Sequence, residues 1–206
     1  PYLISTAAQM AAFATAVDNG NSYEGEFVVL DANIDLGSVP NWNPIGSEAD
    51  ESNIFKGTFD GQGHTISNLN IDANVAEGDS YHGLFSILGN EAVVKNLNIT
   101  DADIAVSNAS AKVYAGSIAG ATQKTDGSTN SDIGARIESC SATGSVSATS
   151  TADKLAYAGG IAGSGGNGAA ITNCWSDVSV SAATSAKNSM AGGIIGMSGN
   201  NAVIAN

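Results

Sequence analysis

Ala115-Gly116-Ser117-Ile118-Ala119-Gly120, Ala158-Gly159-Gly160-Ile161-Ala162-Gly163 and Ala191-Gly192-Gly193-Ile194-Ile195-Gly196 are three versions of one phrase, and His82-Gly83-Leu84-Phe85-Ser86 is a fourth. Their leading glycines, Gly83, Gly116, Gly159 and Gly192, lie 33, 43 and 33 residues apart. A second phrase keeps step through Ile66-Ser67-Asn68-Leu69, Val94-Lys95-Asn96-Leu97, Ile137-Glu138-Ser139-Cys140, Ile171-Thr172-Asn173-Cys174 and Val203-Ile204-Ala205-Asn206. Two phrases locked in phase identify a stacked repeat protein.

Within each unit, Asn96-Leu97-Asn98-Ile99, Thr143-Gly144-Ser145-Val146-Ser147 and Asp177-Val178-Ser179-Val180-Ser181 alternate apolar and polar side chains, which is strand periodicity. Beyond residue 20 no segment carries the three-and-four apolar spacing of a helix, and Gly, Ser, Asn and Asp punctuate the short strands. The expected fold is therefore all-β: a right-handed parallel β-helix, a solenoid of the pectin-lyase-like superfold, in which each repeat is one coil. Gly83, Gly116, Gly159 and Gly192 are read as structural, because glycine accepts the backbone angles and close approaches of a tight corner. The variable stretches 108–112, 123–133 and 150–154 become loops that leave the stack, and the 43-residue spacing is a 33-residue coil with a longer loop.

The first twenty residues are different. Thr6-Ala7-Ala8-Gln9 is a capping box, Met10, Phe13, Ala14 and Val17 form one apolar stripe, and Asp18-Asn19-Gly20 ends the helix. An amphipathic helix laid over the first coil would cover its raw apolar end and unpaired edges. The expected division is a helical cap over 1–26 and repeats over 27–206, with the repeats cut short at the C-terminal side, one residue before the register calls for another Leu or Cys.

Length and composition fit an extracellular single-domain chain with no apolar run long enough to cross a membrane. The chain opens at Pro1 without a signal peptide, so a processed leader and a lipid-attachment segment are expected upstream. Net charge is −13, and residues 1–103 hold 15 acids against 2 lysines, whereas residues 104–206 hold 5 acids and 5 bases. Such a surface repels phosphate backbones and anionic lipid, which argues against nucleic acid and direct membrane insertion as partners. Calcium could bind the acidic half, but no residue pattern indicates it, and no cofactor is expected.

Ile34-Asp35-Leu36, Trp42-Asn43-Pro44-Ile45-Gly46 and Phe55-Lys56-Gly57-Thr58-Phe59-Asp60-Gly61-Gln62-Gly63-His64-Thr65-Ile66-Ser67-Asn68-Leu69, followed by the Gly-Leu-Phe or Gly-Gly-Ile phrases, resemble bacterial surface proteins that carry the GLUG motif. That family includes adhesin-like proteins of gut Bacteroidetes and the non-catalytic region of M26 immunoglobulin A1-specific metallopeptidases. The resemblance covers nearly the whole chain and implies an architecture more than an activity. In those peptidases the chemistry belongs to a separate zinc domain with a His-Glu-x-x-His helix. This sequence has only His64 and His82, neither in that context, so no metal site carries over.

His64, beside the Gly63 turn, reads as a corner hydrogen-bonding residue, and His82 as an exposed loop histidine. Cys140 and Cys174 occupy one position in consecutive coils, where earlier coils have Leu69 and Leu97. They read as inward-facing core residues in a Leu-Leu-Cys-Cys ladder with reduced thiols, since stacked strands lie about 4.8 Å apart and a disulfide wants its β-carbons nearer 3.8 Å. Gly163-Ser164-Gly165-Gly166-Asn167-Gly168 matches a dinucleotide fingerprint by spacing alone and leads into a strand, so it reads as a coil turn.

Parallel β-helices include polysaccharide lyases and glycoside hydrolases, which need paired carboxylates in a cleft or an acidic calcium site with a base. Asp101 and Asp103 alternate along one strand and Asp31 and Asp35 flank a turn, but the one arginine, Arg136, belongs to a different coil. Outward carboxylates on a solenoid favour solvation over catalysis. Trp42, Tyr81 and Trp175 are further aromatic candidates for a sugar-stacking groove, and Tyr114 and Tyr157 each sit two residues before a repeat glycine, at equivalent points on neighbouring coils. They are either an aromatic ladder or, with Tyr81, a ligand-facing stripe. No catalytic residue is assigned.

The expectation is a non-catalytic extracellular module of a bacterial cell-surface or secreted protein, anchored at the surface or outer membrane. It would adhere to a host glycan or extracellular host protein, with further domains in the same polypeptide. The alternatives are an accessory region of an immunoglobulin A1 protease-like metallopeptidase, or a carbohydrate-active enzyme.

Overall fold

The computed structural model describes residues 1–46, 53–122, 134–185 and 187–206. Among these, strands dominate and the single helix is Ala7–Asp18. The strands form four sheets in which every pairing is parallel: one seven-stranded, one six-stranded in which Asn70–Val75 pairs at the side of a five-strand path, and two four-stranded. Each strand pairs with its equivalent in the neighbouring repeat, so the repeats lie on one another as layers. Val93–Lys95 pairs with Arg136–Glu138, which pairs with Ala170–Thr172 and then Val203–Ala205. Parallel partners must be separated by a long excursion of chain, and here each excursion is one repeat passing through the other sheets.

The second sequence phrase is the corner of each layer. Asn68, Asn96, Ser139 and Asn173 adopt left-handed backbone angles, with φ of 58°, 52°, 53° and 53°. Asn tolerates that region better than most residues. The turn points the next residue inward, and Leu69, Leu97, Cys140 and Cys174 are accordingly buried. A bulge interrupts the alternation between Ile99 and Ala102, where Asp101 has φ 54° and Gly144 in the next layer has φ 127°. A Cβ at Gly144 would fall 2.1 Å from the Ala102 carbonyl oxygen, so the bulge fixes the residue below it as glycine.

Inside, equivalent side chains stack in columns. Val28, Phe59, Val94, Ile137 and Ile171 form one, and Ile71, Ile104 and Val146 another; all are essentially inaccessible. Burying each such side chain contributes about 1.5–3 kcal/mol, so the columns supply most of the cohesion between layers. The next members, Ile204 and Val180, are only partly covered.

The helix starts and stops where the sequence reading places it. Thr6 Oγ1 accepts from Gln9 N at 3.2 Å, and Gln9 Oε1 accepts from Ser5 N at 2.8 Å rather than from the cap residue itself. Met10, Phe13, Ala14 and Val17 are its buried residues. Phe13 meets Tyr23, Phe55, Phe59 and Phe85 with ring centroids 5.1–6.5 Å apart, an aromatic cluster that binds the helix to the first layers. Ahead of the helix, Tyr2–Ile4 heads the seven-stranded sheet by pairing with Phe27–Leu30, a strand that the sequence reading did not anticipate.

Candidate functional site

The four repeat glycines do not have positive φ. Their small size serves close approach instead. A Cβ at Gly83 would lie 2.4 Å from the Gly116 carbonyl oxygen, at Gly116 2.5 Å from that of Ala119, at Gly159 1.9 Å from that of Ala162, and at Gly192 2.0 Å from that of Ile195. Of the two reasons expected from sequence, close approach of the neighbouring backbone is the one that requires glycine at this corner, and unusual backbone angles are not.

Tyr81, Tyr114 and Tyr157 stand in register, followed by Met190. Their rings stack with centroids 4.6 and 5.0 Å apart and planes within 5° and 21° of parallel. The three are 6%, 1% and 4% exposed, within a second apolar cluster that includes Ile54, Ile87 and Ala121. The ring faces of Tyr114 are therefore occupied by its neighbours. Tyr81, at the end of the ladder, also lines a cleft.

That cleft has a volume of about 430 Å³ and is bordered by the end of the helix, the 43–46 segment, Asn53, Val75 and the first full layer of the two four-stranded sheets. Asp18, at the helix C-terminus, accepts from Gly46 N at 3.0 Å and from Asn43 Nδ2 at 3.2 Å. Burial nevertheless pushes its carboxyl above the usual carboxylate value, against those two hydrogen bonds. Ser86 Oγ donates to the Gly46 carbonyl at 2.6 Å. His82 lines the same cleft.

His82 corrects a sequence expectation. It belongs to the strand Ser80–His82, not to an exposed loop, and pairs in register with Ala115. Its Nδ1 is sealed from solvent and has no hydrogen-bond partner among the described residues. Desolvation holds the imidazole down at about 4, so it is neutral at physiological pH. The loop reading failed because polar neighbours in the sequence said nothing about the sheet that covers them.

The other candidates fall elsewhere. Cys140 and Cys174 are free, buried and adjacent, with Cys140 N 3.5 Å from Cys174 Sγ. The sulfur contact with Cys174, together with burial, pushes the Cys140 thiol up. His64 Nδ1 lies 3.3 Å from Asn33 Oδ1 at a corner. Asp35 accepts from Asn68 Nδ2 and Gly37 N, both at 2.8 Å, which hold its carboxyl below the usual value. Asp101 sits in the bulge, and Asp103 accepts from Ser145 Oγ at 2.9 Å. Gly163–Gly168 runs from a strand through a turn toward the strand Ala170–Thr172. Among the described residues no three His, Cys, Asp or Glu side chains are grouped to hold a metal ion, and no helix is long and apolar enough to cross a membrane. The loop expected at 123–133 lies outside the described residues.

No family model matches the chain. It is 35% identical over 116 residues, 52% of its length, to halomucin of Haloquadratum walsbyi, and 37% identical over 123 residues, 56% of its length, to a protein of Evansella cellulosilytica provisionally named a Gly-rich membrane protein. The matches span 1% and 13% of those curated relatives. Among solved structures, a protein of Bacteroides ovatus provisionally assigned as an immunoglobulin A1 protease superposes with a TM-score of 0.59 over 99% of this chain and 75% of that one, at 21% identity. This likeness extends the shared fold to the whole chain. The relatives carry names of surface or membrane type.

Asp18, Asn43 and Ser86 were not singled out by sequence. A signal existed for part of the set: His82 and Ser86 stand where the later phrases have Ala115, Ala158 and Ala191, and Gly120, Gly163 and Gly196.

Proposed function

We propose that this chain is a right-handed parallel β-helix module of a bacterial surface or secreted protein of the GLUG type, acting outside the cell as a non-catalytic adhesive rod toward a host glycan or extracellular host protein. The observation that carries this reading is the outer face of the six-stranded sheet. Small residues, polar except for Ala105 and Ala183, stand there in register through four layers, as Asn70, Asp103, Ser145 and Ser179, then Asp72, Ala105, Ser147 and Ser181, then Asn74, Ser107, Thr149 and Ala183. All are partly or fully exposed. A stiff face that repeats one set of hydroxyls, amides and carboxylates suits many weak contacts with a repeating ligand, whose sum gives avidity.

Surface capture tests it: the 206-residue protein is passed over immobilised neutral glycans, mucin-type glycoprotein and matrix protein. Binding that falls at least tenfold in a Ser147→Glu/Ser181→Glu variant supports the reading. An absence of binding to every surface overturns it.

A second reading, an accessory region of an immunoglobulin A1 protease-like metallopeptidase, is favoured by the shared fold with the Bacteroides protein. It requires a His-Glu-x-x-His helix elsewhere in the same polypeptide, and sequencing the parent gene decides it.

A further inference from the structure

The repeat is broken chemically at one place. In later layers the position before the repeat glycine is Ala115, Ala158 and Ala191, and the position after Phe85, Ala119, Ala162 and Ile195 is Ser86, Gly120, Gly163 and Gly196 in turn. Those glycines are enforced by packing. A Cβ at Gly120 would lie 2.5 Å from His82 N, at Gly163 2.5 Å from Ala115 N, and at Gly196 2.8 Å from Ala158 N. In the first full layer the constraint is lifted. Ser80–His82 ends its sheet, and ahead of Phe85–Leu88 the described residues supply only single bridges at Ile45 and Phe55. Polar side chains appear where the space appears, and the cleft opens beside them.

We propose that the cleft lined by Asp18, Asn43, Tyr81, His82 and Ser86 binds one neutral, hydroxyl-rich sugar residue, making this end of the rod its selective end. The proposal deepens the adhesive reading and rests on it. The polar groups are held before any ligand arrives: Gly46 N and Asn43 fix Asp18, and Ser86 is tied to the Gly46 carbonyl. Gly46 itself has φ 87°, and a Cβ there would meet the Asn53 carbonyl oxygen at 2.9 Å. Rigid support of this kind keeps binding groups in place without an ordering cost.

The chemistry selects the ligand class. A carboxylate has about four acceptor sites, and the two hydrogen bonds to Asp18 leave room for sugar hydroxyl donors. Asn43 and Asn53 add amides, and His82 a neutral imidazole. Pro44, Val75 and Tyr81 give an apolar wall for the C–H face of a ring, and the volume lies in the range of small-ligand pockets. The described lining carries one carboxylate and no Lys or Arg, and His82 is neutral, within the acid-rich half of the chain, so uronic and sialic acids are disfavoured.

The test is a ¹H–¹⁵N NMR titration of the full 206-residue protein with methyl glycosides of galactose, mannose and N-acetylglucosamine, and with glucuronic and sialic acids. The expected result is saturable shifts of the His82 ring and the Asn43 and Asn53 side-chain amides with at least one neutral sugar, weakened tenfold or more in His82→Ala and in Asn43→Ala. His82→Ala installs the residue the other layers carry, which keeps the fold. Neutral-sugar binding unchanged in both variants overturns the cleft and leaves the adhesive reading standing, as does capture by a matrix protein with no sugar response. A response to acidic sugars alone overturns the ligand class. Silence toward sugars and immobilised surfaces alike overturns both readings.

Discussion

Acidification should loosen this fold through His82, and the size of the effect follows from its burial. The imidazole is held at about 4 in the folded chain against 6.5 when unfolded. Between these values the unfolded chain binds a proton that the folded chain refuses, so the stability His82 permits is complete above about pH 6.5 and is lost as pH falls toward 4. A gap of about two and a half units, at 1.36 kcal/mol each, amounts to about 3 kcal/mol. For a chain of this length that is roughly 6–12 °C in Tm. Asp18 lines the same cleft and acts in the opposite sense, because burial raises its carboxyl and protonation favours the folded form. The comparison is therefore wild type against His82→Ala, both retaining Asp18, by urea unfolding at intervals from pH 7.5 to 4. The wild type should lose about 3 kcal/mol more than the variant across that window, with the difference confined to it. Parallel curves, or a His82 ring titrating near 6.5 by NMR, would refute the reasoning.

Tyr114→Ala should cost about 4 kcal/mol, since it empties a fully buried site between two stacked rings, while Tyr114→Phe keeps the stack and should cost much less; urea midpoints separate the two. Gly159→Ala should lower stability by about 3 kcal/mol or more, because its Cβ meets backbone at 1.9 Å, whereas Gly193→Ala, with nothing within 4 Å, should be neutral or slightly stabilising in the same melt. Cys140 should resist a thiol reagent in the native protein and react on unfolding, and Cys174, which borders a small cleft with Ile194 and Ile204, should react before it; equal native rates would contradict the packing described.

The layered pairing was legible because the signal is redundant: one phrase returning four times and another five times, in phase, specify register as well as strand content. The helix was legible because Thr6, Gln9 and the Met10–Phe13–Ala14–Val17 stripe each report the same element. Tyr2–Ile4 was not, because three residues cannot display a period and the partner strand lies 26 residues on. The repeat glycines were recognised for two reasons, of which the structure keeps close approach and drops unusual backbone angles, since both leave the same letter in the sequence. The angles belong instead to Asn68, Asn96, Ser139 and Asn173, residues first noted only as part of a phrase. The cleft escaped because Asp18, Asn43, His82 and Ser86 are brought together by the helix docking and the passage of 43–46. Only the last two carried a trace, as polar departures from Ala and Gly.

The uneven columns inside the stack also bear on how the chain finds its pairing. Backbone hydrogen bonding is of the same parallel kind from layer to layer and by itself distinguishes the correct neighbour from the one beyond it poorly, so a strand that skipped a layer would lose little from its ladder. The column Val28–Phe59–Val94–Ile137–Ile171 and the series Leu69–Leu97–Cys140–Cys174 are not uniform, and the tyrosines give way to Met190. Skipping the Val94–Leu97 layer would set Phe59 on Ile137 and Leu69 on Cys140, trading fitted contacts for overlap in one column and a void in another. The side chains thus act as addresses on otherwise interchangeable shelves, and a consensus redesign that made every layer alike would erase them.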